Sequence, residues 1–396
     1  MRLLEGTIQR YDWGGKDAIP RLLGQEPDGG PYAEYWLGAH ELSPSRTSDG
    51  ALNELVRRHP DVLGQASEDT WGSQLPFLMK VLSAARPLSL QAHPSREQAE
   101  AGFARENAAG IPLDAPNRVY ADDWPKPETI IALEEFETLC GFRDPAETAR
   151  LFASLGVADE LESIMRPLTE RGGAACLAQV FLDVLSLDGD RQRLIDLVAA
   201  AAMEHRDDAG PVGEFARTAV QLDSAFPSDR GILASLLLNR VKLQPGEGLF
   251  LAAGQMHAHL SGTGIEVMAS SNNVIRGGLT AKHIDVGELV SVVDFEPVTP
   301  QILSPVWIRP AVERYPTPCP EFDVWRVRPT SEEQSVRLPG SRSARILLVV
   351  DGWADVSADE QSATLTHGQA VFIGAAETDV AISGQATAFL TASGLR

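Results

Sequence analysis

The sequence predicts a mainly β protein with a helical insertion, an α+β chain, on three observations. Short alternating apolar runs broken by Gly and Pro fill the start, an Ala-, Leu-, Glu- and Arg-rich stretch fills the middle, and strand texture returns to the end. With 396 residues, 43% hydrophobic and 22% charged, the chain has material for two or three globular domains with real cores.

The elements follow in order. Residues 1–143 carry runs such as PFLMKVLSA and PLSLQAHP, which read as strands bounded by turns. Asp144-Pro145 followed by Glu147 predicts a helix start, with Asp as cap and Pro in the first turn. Residues 144–238 then form a helical insertion, in which Leu194, Leu197, Val198 and Ala201 recur at helical spacing. Strands resume over 239–311 and complete the first barrel. The proline-rich passages Glu296–Pro310 and Tyr315–Pro320 lead into a last domain, 312–396. There RILLVVDGWADVS, THGQAVFIGA and QATAFLTA suggest a small antiparallel barrel or sandwich.

Composition excludes several functions. A net charge of -21 opposes nucleic-acid binding, and an anionic substrate requires cations gathered in its pocket. No apolar run approaches the roughly 18–20 residues that span a bilayer, and MRLLEGTIQRYDWGG lacks a secretory apolar core. A cytoplasmic protein without membrane partners is expected. Cys140, Cys176 and Cys319 lie far apart and read as reduced thiols, neither disulfide framework nor thiolate zinc site.

Two segments carry histidines that strand alternation would aim together. In PLSLQAHP, Ser89, Gln91 and His93 share one face opposite Leu88, Leu90 and Ala92, and Pro94 ends the strand. Such a strand lines either a polar barrel interior or a solvated edge. In LQPGEGLFLAAGQMHAHLSG, His257 and His259 stand two apart, on one face, as metal ligands or as a hydrogen-bonded pair. Lys126-Pro127-Glu128 offers a cation and a carboxylate on one side of an extended segment. Glu266, Arg276 and Lys282 surround Gly277-Gly278, where backbone can approach a ligand closely; the alternative is an ordinary turn with solvated cations. No nucleotide-binding glycine fingerprint is present.

These segments resemble, in order, type I mannose-6-phosphate isomerase (phosphomannose isomerase). The resemblance rests on Tyr11-Asp12-Trp13-Gly14, Pro31-Tyr32-Ala33-Glu34, Trp36-Leu37-Gly38-Ala39-His40 and Phe77-Leu78-Met79-Lys80-Val81-Leu82. It continues in Leu88–Pro94, Lys126-Pro127-Glu128, His257-Ala258, Ser261-Gly262, Gly264–Ala269, Asn273–Thr280 and Lys282-His283. It implies a cupin (jelly-roll) catalytic barrel, an inserted helical domain and a C-terminal cupin-like barrel. It also implies one zinc ion per chain on Gln91, His93, Glu128 and His257. The implied reaction interconverts mannose 6-phosphate and fructose 6-phosphate through an enediol, on a small sugar-phosphate substrate, in a monomer. Arg276, Lys126 and Glu266 take catalytic positions. Lys80, Ser89, Trp13, Glu34, His259, Asn272 and Lys282 take substrate positions, with Lys80 and Ser89 foremost for the phosphate.

Three positions depart from the family pattern: His259 where Tyr is common, Asn272 where Asp is common, and Pro125 where His often precedes the Lys-Pro-Glu motif. Two other readings follow from the residues: another cupin metalloenzyme, such as an iron oxygenase, or a catalytically silent sugar-phosphate binding module.

Overall fold

In the computed structural model, which describes residues 1–330, 335–359 and 361–395, eleven strands form the first sheet. They are β1 (Thr7–Gln9), β2 (Glu34–Gly38), β3 (Phe77–Ala84), β4 (Leu90–Ala92), β5 (Glu128–Ala132), β6 (Phe136–Phe142), β7 (Leu238–Leu243), β8 (Gly248–Leu251), β9 (His257–Ala269), β10 (Ile275–Gly278) and β11 (Ile302–Leu303). One row runs β11-β8-β5-β9-β3-β2-β1; a second joins β7 and β6 to β9 on one side and β10 and β4 on the other.

β9 belongs to both rows, which is what closes the jelly roll. His257 to Ser261 pair with β6, and Gly262 to Ala269 pair with β3. The passage between rows is a bulge: register shifts between His259 and Ser261, and Gly262 adopts φ +115°. A Cβ at Gly262 would stand 2.6 Å from the Glu135 carbonyl oxygen, so only glycine fits the bend. The extra residue changes parity. Odd positions His257 and His259 face the interior before the bulge, and even positions Glu266 and Met268 face it afterwards.

Two stretches of the barrel wall are buried on both sides. The outer face of β2, β3, β5 and β9 (Tyr35, Leu37, Met79, Val81, Ile131, Ile265, Val267) packs on Leu52, Leu55, Ile346 and Phe372. The outer face of β4, β6 and the start of β9 (Leu90, Ala92, Leu139, Ala258, Leu260) packs on Leu177, Phe181 and Ile232 of the helical insertion. At about 1.5–3 kcal/mol per buried large apolar side chain, these outer faces can stabilise the fold and leave part of the interior polar.

The helices of the insertion run from Pro145–Ser154 to Gly231–Ser235; others, such as Arg96–Ala108, lie outside it. The first begins as expected, with the Glu147 N–H donating to Asp144 Oδ1 at 2.9 Å and Pro145 in the opening turn. In Arg193–His205 the buried stripe is Ile195, Val198 and Ala202, one residue off the expected centre; Leu194, Leu197 and Ala201 flank it half-buried. An apolar stripe this wide leaves its midline undetermined by spacing alone.

The C-terminal sheet includes Val312–Tyr315, Asp323–Val327, Arg345–Ala358, Ala370–Ile373 and Val380–Ala392. It also takes in Arg2–Leu4, whose residues pair with Ala370 to Phe372, so the amino-terminal strand sits in the last module's sheet. The proline-rich connection contains edge strands of both sheets, β11 and Val306–Arg309, where a missing N–H is tolerated. Cys140, Cys176 and Cys319 are free. Among the described residues no helix is long and apolar enough to cross a membrane.

Candidate functional site

Three segments distant in sequence meet at one end of the barrel interior. Glu128 opens β5, His257 opens β9 opposite Gln91 of β4, and His93 lies one residue past β4, where Pro94 stops the ladder. One ligand atom from each of His93, Glu128 and His257 lies within 4.8 Å of the others, and all three residues are buried. His93 Nε2 is 3.2 Å from Glu128 Oε1, and His257 Nε2 is 3.5 Å from Oε2.

The ring protons can be placed from the partners. His93 Nδ1 is 2.7 Å from the Asn273 carbonyl oxygen, and His257 Nδ1 is 3.0 Å from that of Gln255. A carbonyl only accepts, so each Nδ1 donates, and either ring, when neutral, turns an Nε2 lone pair towards the carboxylate. Glu128 Oε2 has no hydrogen-bond partner. Lone pairs converging on a buried carboxylate are an arrangement that a cation completes. Gln91 adds a side-chain amide 3.4 Å from His257 Nε2, and turning that amide over would present its oxygen instead.

Titration follows the same logic. Burial pushes His93 down to about 4, so it is neutral at neutral pH. Burial opposes the charge on Glu128, yet His93 and the Lys126 ammonium hold its pKa well below the usual range. Lys126 donates to Glu128 Oε1 and lies 3.4 Å from His93 Nε2. Cys140 stands opposite His257 in the β6–β9 ladder, but burial raises its thiol to about 12 and removes it as a thiolate ligand.

A second charged group lines the adjoining wall. Lys80 of β3 lies opposite Glu266 of β9 and Trp36 of β2. Its Nζ is 2.9 Å from Glu266 Oε2 and 3.3 Å from Glu34 Oε1, while Trp36 Nε1 donates to Glu34 Oε2 at 2.8 Å. Burial would lower the Lys80 pKa, but Glu266, Glu34 and Glu128 raise it. Burial would raise Glu266, but Lys80 and His259 bring it to about 2. His259 Nε2 lies 3.5 Å from Glu266 Oε1, and its Nδ1 meets Thr138 Oγ1 at 3.0 Å. Counting buried groups, Glu34, Glu128 and Glu266 against Lys80 and Lys126 leave one negative charge unmatched, which a divalent cation would more than neutralise.

These groups form the floor of a cavity of about 1380 Å³, also lined by Trp13, Ser89, His40, Asn272, Arg276 and Lys282. Trp13, Ser89 and Arg276 are half-buried, and Asn272 and Lys282 are exposed at its rim. No carboxylate pairs with Arg276 or Lys282 among the described residues, and burial lowers the Arg276 pKa, as for a cation lacking its counter-ion. The cavity is therefore cationic at its mouth and acceptor-rich at its floor. Asn272 makes no hydrogen bond to Arg276 among the described residues; its N–H donates to Asp122 Oδ2 at 2.8 Å.

Sequence reasoning did not nominate Thr138, His40, Asp122 or Asn273. His40 lies in a matched motif, and its Nδ1 accepts from the Leu42 N–H at 3.3 Å. Asn273 opens the matched run Asn273–Thr280; Thr138 and Asp122 act through hydrogen bonds to distant segments and leave no spacing signature.

Comparisons agree with this geometry. The catalytic-domain family "Phosphomannose isomerase type I" matches residues 1–145, and "Mannose-6-phosphate isomerase, cupin domain" matches 315–392. The mannose-6-phosphate isomerase of Salmonella typhimurium is 38% identical, with 97% of each chain covered; that of Escherichia coli is 36% identical at the same coverage. The rat enzyme is 32% identical, over 95% of this chain and 93% of its own. A crystal structure of the Salmonella enzyme bound to its substrate fructose 6-phosphate and to zinc superposes with a TM-score of 0.90 and 37% identity, covering all of both chains.

Proposed function

We propose roles for individual residues on one premise: the chain belongs to the type I mannose-6-phosphate isomerase family. It is a zinc-dependent aldose–ketose isomerase that interconverts mannose 6-phosphate and fructose 6-phosphate. The observation that carries the reading is the His93–Glu128–His257 cluster, two imidazole lone pairs and an unpartnered carboxylate oxygen converging under a cation-rimmed cavity.

His93, Glu128, His257 and Gln91 hold the zinc ion. When bound, zinc supplies a Lewis acid for the negative charge that develops on the sugar oxygens during enolisation. The chain's own groups do the rest. Arg276, Lys282 and Ser89 at the mouth receive the phosphate, since the two cations have no carboxylate partner to give up. Lys80 is committed between Glu34 and Glu266, so its part is to hold those carboxylates in place. Lys126 supplies a buried positive charge beside the reacting oxygens. Glu266 is ionised at neutral pH and is the group on this wall able to take a proton; its pKa of about 2 makes it a weak base until substrate displaces Lys80 or His259. Glu34, His259, Asn272 and Trp13 bound the space for the sugar hydroxyls. His259 presents a buried Nε2 without a hydrogen-bond partner, which a hydroxyl would fill.

The residue blocks 1–143 with 239–311, 144–238 and 312–396 are proposed as catalytic barrel, helical domain and C-terminal cupin, with Arg2–Leu4 and Val306–Arg309 joining the sheet of the last. The three free thiols and a phosphorylated substrate support a reducing, cytoplasmic location, and a monomer is the proposed working unit. A coupled assay tests the function: purified chain should convert mannose 6-phosphate to fructose 6-phosphate. Calorimetric binding of the substrate without turnover would identify a silent binding module instead.

A further inference from the structure

His93 depends on a support that the mechanism above does not use. Its Nδ1 proton goes to the Asn273 carbonyl, and Asn273 is fully buried with every side-chain group engaged. Its Nδ2 donates to the carbonyls of Asp122 and Trp124, both at 2.8 Å, and its Oδ1 accepts from the N–H of Ala121 at 2.8 Å. Asp122 fastens the same loop from the other side. Its carboxylate accepts from Ser271 Oγ at 2.7 Å, from the Asn272 N–H at 2.8 Å and from the Trp124 N–H at 3.1 Å. Ser271 Oγ in turn accepts from the Asn273 N–H at 3.1 Å. An amide whose donors and acceptor are all used cannot turn over, and the carbonyl it anchors decides which nitrogen of His93 carries the proton. His257 has a plainer support, the carbonyl of half-buried Gln255 in a turn.

We propose that Asp122, Ser271 and Asn273 form a brace that fixes the tautomer and direction of His93 and so sets the affinity of the centre for its divalent ion. They are positioning residues, acting on the metal through His93, although Asp122 and Ser271 also border the cavity. The inference rests on the reading of His93, Glu128 and His257 as the zinc site.

The test is the zinc affinity of the full chain, measured by competition with a chromophoric chelator, for wild type, Asp122→Asn and Ser271→Ala. Asp122→Asn turns an amide N–H or a lost acceptor against the Asn272 N–H. It should weaken zinc binding by about 10–100-fold, the usual range for an outer-shell partner, and Ser271→Ala by a few-fold, about 3. The cobalt-substituted Asp122→Asn protein should also show a changed d–d spectrum. A purely structural role predicts a lower metal-free melting temperature with unchanged zinc affinity and spectrum, and that result overturns the brace. Should Asp122→Asn fail to fold, Ser271→Ala alone decides by the same criterion. Wild-type chain that takes up no zinc overturns the metal reading itself, brace included.

Discussion

The two β modules fill their interiors in opposite ways. The C-terminal one is apolar inside, with Val327, Leu347, Val349, Val356, Leu365, Val371, Ile382 and Leu390 in one cluster. The catalytic barrel is divided: Leu82, Ile130, Phe136, Leu249 and Leu251 form an apolar cluster, while His93, Glu128, His257, Lys80, Glu34 and Glu266 form a buried polar group beside it. Both modules bury apolar outer faces against neighbours. The difference teaches that stability in the first barrel rests on its outer faces and one apolar interior cluster, so the rest of its interior is free for chemistry. The cost is that charges there must satisfy one another, and buried charge groups tolerate removal of a partner badly.

The largest contrast should come from removing a ligand. His257→Ala should abolish zinc retention and lower isomerase turnover by at least about 10³-fold, with the barrel still folded by circular dichroism. Leu347→Ala in the C-terminal module should cost about 2–5 kcal/mol in chemical denaturation yet leave zinc stoichiometry at one. Full metal content in His257→Ala would mean the ligands are misplaced.

Lys80→Met sharpens the comparison on stability. It leaves Glu34 and Glu266 facing each other without their cation, and should destabilise the chain by about 3–5 kcal/mol. Adding Glu266→Gln should recover a substantial part, a non-additivity that a pair of core truncations in the C-terminal module would lack. Strict additivity in urea unfolding would contradict the account of the charged wall.

Arg276→Ala addresses the cavity mouth. Losing one charge-assisted contact of about 1.5–3 kcal/mol should reduce kcat/KM roughly 10–100-fold, mainly through KM. Unchanged KM would move the phosphate elsewhere.

A further effect is with pH. His93 and His40 are each held down to about 4, so the fold favours their neutral forms. Their contribution is complete above the free-imidazole range near 6.5 and is lost as pH falls towards 4. Urea midpoints of the chelated protein should therefore fall between pH 6.5 and 4.5; a flat profile there would contradict buried neutral imidazoles.

Much of this was legible in the chain. Alternation in PLSLQAHP puts Gln91 and His93 on the face opposite Leu90 and Ala92, and His257 and His259 two apart again share a face. The parity change that brings Glu266 to the same interior was hidden, because a bulge at Gly262 is one residue of extra length with no periodic mark. Lys80 reads from sequence as a phosphate cation, and its pairing with Glu34 and Glu266 is hidden there because they are 46 and 186 residues away. The Asp122–Asn273 loop was illegible for the same reason: its meaning lies in contacts 150 residues apart. The pairing of Arg2–Leu4 with the last module was equally non-local.

The most direct test of the account is isomerisation of mannose 6-phosphate before chelation, after it and after zinc is restored. The account predicts loss of activity with the metal and recovery at one zinc per chain. Activity that persists in fully metal-free protein would contradict it.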